Sequence, residues 1–172
     1  MTNEAFTEAV IRLTPTLYRI ARGQLMTEAD QQDAVQEAIR RSWEKRGSLK
    51  NEAWLQTWVI RILLNACHDI QRHRKRMFPV RELPDREAPS PEYPDLRDAL
   101  FRLDDKYRVP VILYYIEGYD VKRVSEILKI PVSTVKTRLM RARSQLRDIL
   151  NEEALEDNEA ECGLQKCPGT AR

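Results

Sequence analysis

The sequence predicts an all-α protein: two small helical modules, an N-terminal helix bundle and a C-terminal helix-turn-helix domain, joined by a Pro-rich linker. Three observations predict it. Apolar residues recur at steps of three and four, as in Phe6, Val10, Leu13, Leu17 and Ile20, which is the period of one helix face. Five of the nine prolines, at 79, 84, 89, 91 and 94, fall within residues 77–94 and interrupt that period. Near residue 130 a short helical pattern is followed, across Lys129-Ile130-Pro131, by a longer and strongly basic one. With 172 residues, 42% hydrophobic and 33% charged, the chain can build one or two small cores inside a well-solvated surface.

The first helical region contains Pro15 after Thr14, a pair that suits an N-cap and a first-turn proline, so the period predicts two helical pieces. A second helix is expected over about 29–46, with Val35, Ala38, Ile39, Ser42 and Trp43 on one side. Gly47 stands where a left-handed residue closes a helix. Asn51, a good N-cap, opens a third helix to about Arg76 with Trp54, Leu55, Trp58, Val59, Ile62, Leu63, Ala66 and Ile70 inward. These three make the bundle, residues 1–76. Residues 77–94 form the linker, which fully stretched reaches up to ~60 Å and can hold two modules well apart.

The second module, residues 95–150, opens with Leu96, Leu100 and Leu103 in one helical piece and Val111, Ile112, Tyr115 and Ile116 in the next. Gly118 and the capping Asp120 precede a short helix, 121–128. After the break at 129–131, Ser133 is expected to cap a helix to Leu150. Val124, Ile127 and Leu128 should pack on Val135 and Leu139, leaving Lys136, Thr137, Arg138, Met140 and Arg141 outward at the start of the second helix. Such residues enter a DNA major groove, where Arg and Lys reach guanine edges or phosphates and Thr meets a thymine methyl. Residues 151–172 are acidic and poor in large apolar residues, and are expected to fray or be disordered.

The five glycines, at 23, 47, 118, 163 and 169, cannot form a G-x-G-x-x-G turn or a P-loop, and H-E-x-x-H and G-x-S-x-G are missing. No catalytic residue, cofactor, metal ligand set or small-molecule substrate is therefore expected. The net charge of +2 hides two basic blocks, Arg61 with Arg72, Arg74, Lys75 and Arg76, and Lys136 with Arg138, Arg141, Arg143 and Arg147. Two acidic ones oppose them: Glu28, Asp30, Asp33 and Glu37, and a tail carrying Glu152, Glu153, Glu156, Asp157, Glu159 and Glu161. Residues 1–10 do not read as a secretory signal, and the apolar run 109–116 is too short for a membrane span of ~20 residues, so a cytoplasmic protein is expected. Cys67, Cys162 and Cys167 lack a zinc-ligand pattern and read as structural or incidental thiols. Trp58 lies on the apolar stripe and reads as core, whereas Trp54 at the helix start is open to base stacking.

Four strings together resemble a known family: D-A-V-Q-E at 33–37, T-W-V-I-R-I-L-L-N-A at 57–66, L-D-D-K-Y-R-V-P-V-I-L at 103–113 and I-P-V-S-T-V-K-T-R-L-M-R-A-R at 130–143. In this order, over residues 6–150, they resemble bacterial RNA polymerase sigma factors of the extracytoplasmic-function (ECF) group. The resemblance implies that the bundle is sigma region 2, the helix-turn-helix module is region 4, and the chain is a sigma factor directing promoter-specific initiation by core RNA polymerase. It implies polymerase binding by Asp33, Gln36 and Glu37, and capture of a flipped minus-10 base by the loop at 47–52. It implies minus-10 contacts from Asn65, His68, Asp69, Arg72 and Arg74, and minus-35 reading by Lys136, Thr137, Arg138, Met140 and Arg141. It also implies an anti-sigma factor, often membrane-anchored in such systems. The alternative is a stand-alone helix-turn-helix regulator that is not a polymerase subunit.

Four positions depart from the family pattern. Lys129 replaces the usual turn glycine and must carry a left-handed or strained backbone. Ser125 replaces a small alanine, and Lys122 with Arg123 replace acids on the first helix of the motif.

Overall fold

The computed structural model describes residues 2–77 and 94–163, with side chains described for 2–77 and 96–151. Expectations for the linker, for Cys167 and for the side chains of the acidic tail lie outside these residues. Seven α-helices build the described part, and it contains no strand.

Helix α1 (Asn3–Gln24) starts at Thr2, whose hydroxyl accepts the Ala5 amide at 3.2 Å. It is one continuous helix, not the two pieces that Pro15 suggested. Pro15 sits on the exposed side, while Phe6, Val10, Leu13, Leu17 and Ile20 are buried on a single stripe. Burying that stripe outweighs the one backbone hydrogen bond that a proline removes. Helix α2 (Glu28–Glu44) is capped by Thr27 and buries Gln31, Ala34, Val35, Ala38 and Ser42. It ends in a 3-10 turn, Arg46–Ser48. Gly47 lies within that turn with no positive φ, which corrects the expected left-handed cap, because the chain tightens there rather than reversing hand.

Asn51 caps as predicted, its side-chain oxygen accepting the Ala53 amide at 2.9 Å ahead of a 3-10 turn and then α3 (Leu55–Met77). Leu55, Val59, Leu63 and Ala66 are buried, and Trp58, Ile62 and Ile70 pack partly buried against the core. Ile60, Leu64 and Cys67 are buried too, so α3 presents a wider buried arc than a helix covered on one side. Trp54 is instead 43% exposed. The Cys67 thiol is pushed up to about 12 by burial, which keeps it in the unreactive thiol form.

Helix α4 (Pro94–Arg102) is joined to α5 (Asp105–Val111), which continues as a π-helical turn over Ile112–Ile116. Arg108 is buried and donates to the carbonyls of Phe101 and Leu103 and to the Asp105 carboxylate, tying the end of α4 to the start of α5. Gly118 takes a positive φ of 72° and turns the chain into α6 (Val121–Leu128), where the Asp120 carboxylate accepts the Arg123 amide at 2.7 Å. Helix α7 (Val132–Gly163) starts one residue before the predicted Ser133, with the Pro131 carbonyl accepting the Val135 amide. Ser133 is therefore inside the first turn and is not the cap. The helix also runs past the predicted end at Leu150, because Glu, Ala and Leu favour helix and no glycine or proline intervenes before Gly163.

The two modules lie against each other and share one continuous apolar core, in which Leu17, Ile20, Ile60 and Leu63 meet Ile112, Leu113, Val124 and Ile127. Packing of α1 on α4 and α5, and of α3 on α6, replaces the separation that the linker length permits. A Cβ on Gly23 of α1 would stand 2.6 Å from Cδ1 and 3.0 Å from Cγ1 of Ile112, so glycine lets α1 approach the π-helical turn.

Candidate nucleic-acid interface

Helices α6 and α7 form the predicted helix-turn-helix. Val124, Ile127, Val135 and Leu139 are buried together, with Leu128 partly buried beside them. Between the helices Lys129 adopts φ 55° and ψ 42°, the left-handed conformation that its place in the turn demanded. Ser125 acquires a role that sequence alone did not suggest: its hydroxyl donates to the Ile130 carbonyl at 2.6 Å and bridges the turn. Lys136, Thr137, Met140 and Arg141 are exposed, Met140 to 57%, whereas Arg138 is partly covered. The Thr137 hydroxyl donates back to the Ser133 carbonyl at 3.0 Å. Lys136, Arg138 and Arg141 form no ion pair among the described residues, so their charge is available to a phosphate or a guanine edge.

On α3, Arg61, Asn65, His68 and Arg72 are spaced 4, 3 and 4 residues apart and so share one helix face. Asn65, His68, Asp69 and Arg72 are exposed, but the basic residues differ in what already holds them. Arg74 is tied to α2, with Nε 2.7 Å from the Asp30 carboxylate and Nη2 donating to the Thr27 hydroxyl at 3.1 Å. Asp69 pairs with Arg41 of α2 at 3.3 Å, and His68 Nδ1 lies 4.0 Å from Asp105. Arg72 has no ion pair among the described residues.

The acidic side of α2 is not a row of free carboxylates. Asp33 and Gln36 are exposed, yet Glu37 accepts two 2.8 Å hydrogen bonds from Arg40 and another from Arg41. Those guanidiniums hold the Glu37 carboxyl down at about 2, from an ordinary value of 4.5. Spacings of three and four residues already carried this signal, which the sequence reading missed. Asp33, Gln36, Glu37 and Asp69 line one groove of about 600 Å³ between α2 and α3, so residues expected to meet polymerase and one expected to meet DNA share a surface.

A second cleft, of about 450 Å³, lies between the modules and is lined by Arg61, Asn65 and His68 from α3 and by Lys106, Lys129 and Arg138 from the other side. At its edge Arg61 donates to the Ile127 carbonyl at 3.0 Å and to the Glu126 carbonyl, so this cation of the first basic block closes the end of α6. Trp54, expected as a stacking candidate, lies under the Arg123 guanidinium at 5.7 Å from its ring centroid. Among the described residues no group of His, Cys, Asp and Glu could hold a metal ion, and no helix is long and apolar enough to cross a membrane.

Comparison with known proteins accounts for both modules. Residues 9–77 match the family model Sigma-70 region 2, and residues 94–146 match Sigma-70, region 4. The chain is 31% identical over 151 residues to the ECF RNA polymerase sigma factor SigM of Mycobacterium tuberculosis, covering 85% of this chain and 77% of that protein. It is 28% identical over 169 residues to the ECF RNA polymerase sigma factor SigW of Bacillus subtilis, covering 87% and 90%. In fold it is similar to the sigma factor RpoE of Bartonella quintana, solved in complex with the anti-sigma factor NepR, with a TM-score of 0.73 and 23% identity over 86% of this chain and 98% of that one. The region 2 match removes the support for a stand-alone regulator built on the helix-turn-helix. A bundle matching region 2, a helix-turn-helix matching region 4 and 31% identity to such a factor over 85% of the chain place it among the ECF RNA polymerase sigma factors.

Proposed function

We propose the following division of labour within this sigma factor: residues 1–76 bind core polymerase and minus-10 DNA, 77–94 link, 95–150 read minus-35 DNA, and 151–172 form an acidic tail. On α7, Lys136, Thr137, Arg138, Met140 and Arg141 enter the major groove. The Thr137 hydroxyl is occupied by its own helix, so its methyl is the group left to meet a thymine. Asn65, His68, Asp69 and Arg72 face the minus-10 element. Arg74 belongs to that set through α3, but its part is to hold α2 against α3.

The groove between α2 and α3 docks on polymerase through Asp33 and Gln36, with Glu37 kept ionised by Arg40 and Arg41. Nothing in this arrangement asks for catalysis by the chain, and bond formation belongs to polymerase. A related fold is known with an anti-sigma factor, and we assign this chain a protein inhibitor of that kind. The observation that carries the reading is the exposed, unpaired cationic start of α7 behind a correctly packed turn.

The test is a native pull-down of core RNA polymerase with the purified protein, followed by transcription from a promoter library. Polymerase binding with new start sites is the expected result. A folded, inhibitor-free protein that leaves polymerase unbound overturns it.

A further inference from the structure

The cleft of about 450 Å³ holds a concentration of positive charge that promoter binding does not account for. Four cations line it: Arg61 from α3, Lys106 from α5, Lys129 from the turn and Arg138 from α7. Its one lining acid, Asp105, is already taken by the buried Arg108 guanidinium. Arg61 donates to the carbonyls of Ile127 and Glu126, which carry no net charge to offset its own. Lys129 and Arg138 form no ion pair among the described residues. Lys106 meets Asp104 at 3.1 Å, but both side chains are more than half exposed, and such a pair is weak enough to give way to another anion.

The backbone at Lys129 points the same way. The turn needs a left-handed residue, which glycine supplies without steric cost, yet at φ 55° the chain holds a lysine there. What lysine adds over glycine is an ammonium group on the wall of the cleft. A side chain carried on strained backbone marks a place where that side chain is in use. The cleft's 450 Å³ falls within the ~300–1,000 Å³ of small-molecule sites and equals a sphere about 10 Å across, narrower than one major groove of ~12 Å, so it admits a small anion and excludes a duplex.

We propose that this cleft binds a small condensed phosphate, a chain of two or more linked phosphoryl groups, either bare or carried on a nucleoside. Lys106 and Lys129 hold the chain as point charges, and Arg138 grips it through its planar fork. Arg138 is also assigned to minus-35 DNA, and in this respect the inference rests on the function proposed above. Phosphate chain and upstream DNA then compete for one guanidinium, and each weakens the other by the same factor.

Isothermal calorimetry on the full-length protein tests the site, with tripolyphosphate, orthophosphate and ATP in turn and no divalent metal. Tripolyphosphate should bind once per chain, and orthophosphate at least about tenfold more weakly because it reaches fewer of the cations. Lys129→Gly and Lys106→Gln should each weaken tripolyphosphate about tenfold with helical circular dichroism unchanged, whereas Arg12→Gln, which removes an exposed cation of α1 outside the cleft, should not. ATP binding tighter than tripolyphosphate identifies a nucleotide as the carrier, the reverse order a bare chain, and either order upholds the site. Absence of saturable binding, or an equal loss in Arg12→Gln, reduces the cleft to general surface charge and overturns the proposal. A short thymidine strand that binds as tightly, and is lost in the same variants, makes the cleft a groove for single-stranded DNA and overturns it as well.

Anisotropy of a labelled minus-35 duplex tests the competition, with tripolyphosphate at about ten times its Kd and chloride of matched ionic strength as control. Duplex affinity should fall about tenfold in wild type and about twofold in Lys129→Gly. Unchanged affinity in wild type overturns the sharing of Arg138. A duplex that wild type never binds counts against the sigma reading instead, while the calorimetry still decides the site.

Discussion

On α7 the cations Lys136, Arg141, Arg143 and Arg147 have no ion pair among the described residues, whereas in the bundle Arg40, Arg41, Arg61 and Arg74 are each engaged by the protein itself. Both regions are comparably basic as strings of letters. The difference is what lies within reach: α7 offers no acid between 136 and 147, while Glu37, Glu44, Asp69 and Asp30 pair with Arg40, Arg41 and Arg74, and the carbonyls at the end of α6 take Arg61. Charge in a sequence is therefore an upper limit on charge available to DNA, and local pairing decides how much remains.

Four experiments break or sharpen that contrast. The largest effect is expected from Ile127→Ala, which opens a cavity in the core shared by both modules. It should cost about 2–5 kcal/mol and, if the two sides fold together, lower one common unfolding transition in urea. Two separate transitions would show that the contact is weaker than either core.

Next, Arg141→Ala should weaken binding to the minus-35 element by ~1–3 kcal/mol while leaving polymerase binding unchanged. In the same assay Arg74→Ala should leave minus-35 recognition untouched and lower thermal stability by about 1 kcal/mol, because its partners are Asp30 and Thr27. An equal loss for Arg141→Ala on scrambled DNA would reassign it to phosphate contact. Third, Lys129→Gly removes a left-handed non-glycine residue and should stabilise the fold by about 1 kcal/mol, measured by denaturant midpoint.

The smallest effect concerns pH. Glu37 has a folded pKa below its unfolded value, so its contribution is complete above about pH 4.5 and fades as pH falls toward 2. Its carboxyl carbon, followed by NMR, should titrate near 2 in the wild type and close to 4.5 once Arg40 and Arg41 are both alanine.

Local features were legible in the sequence where one residue decides them. Asn51 and Asp120 cap as expected, Lys129 is left-handed, and the packing of Val124 and Ile127 on Val135 and Leu139 follows from their spacing. Pro15 misled because burial of the α1 stripe is a tertiary effect that local preference does not contain. The end of α7 was missed because a loss of apolar residues was taken for a loss of helix, although Glu and Ala sustain one.

For the site, the spacing exposed Lys136, Met140 and Arg141 correctly but could not show that Arg74 faces α2. The contact of the two modules was invisible for a different reason. Arg19 and Glu117 are 98 positions apart, and nothing in either neighbourhood marks the other as its partner.

Trp54, half-exposed beneath Arg123, gives the molecule an optical gauge. One member of that pair belongs to the bundle and the other to the helix-turn-helix, so parting the modules removes a positive charge from above the indole. The emission of a single native fluorophore, isolated by replacing Trp43 and Trp58 with phenylalanine, then follows closure in real time without any attached dye.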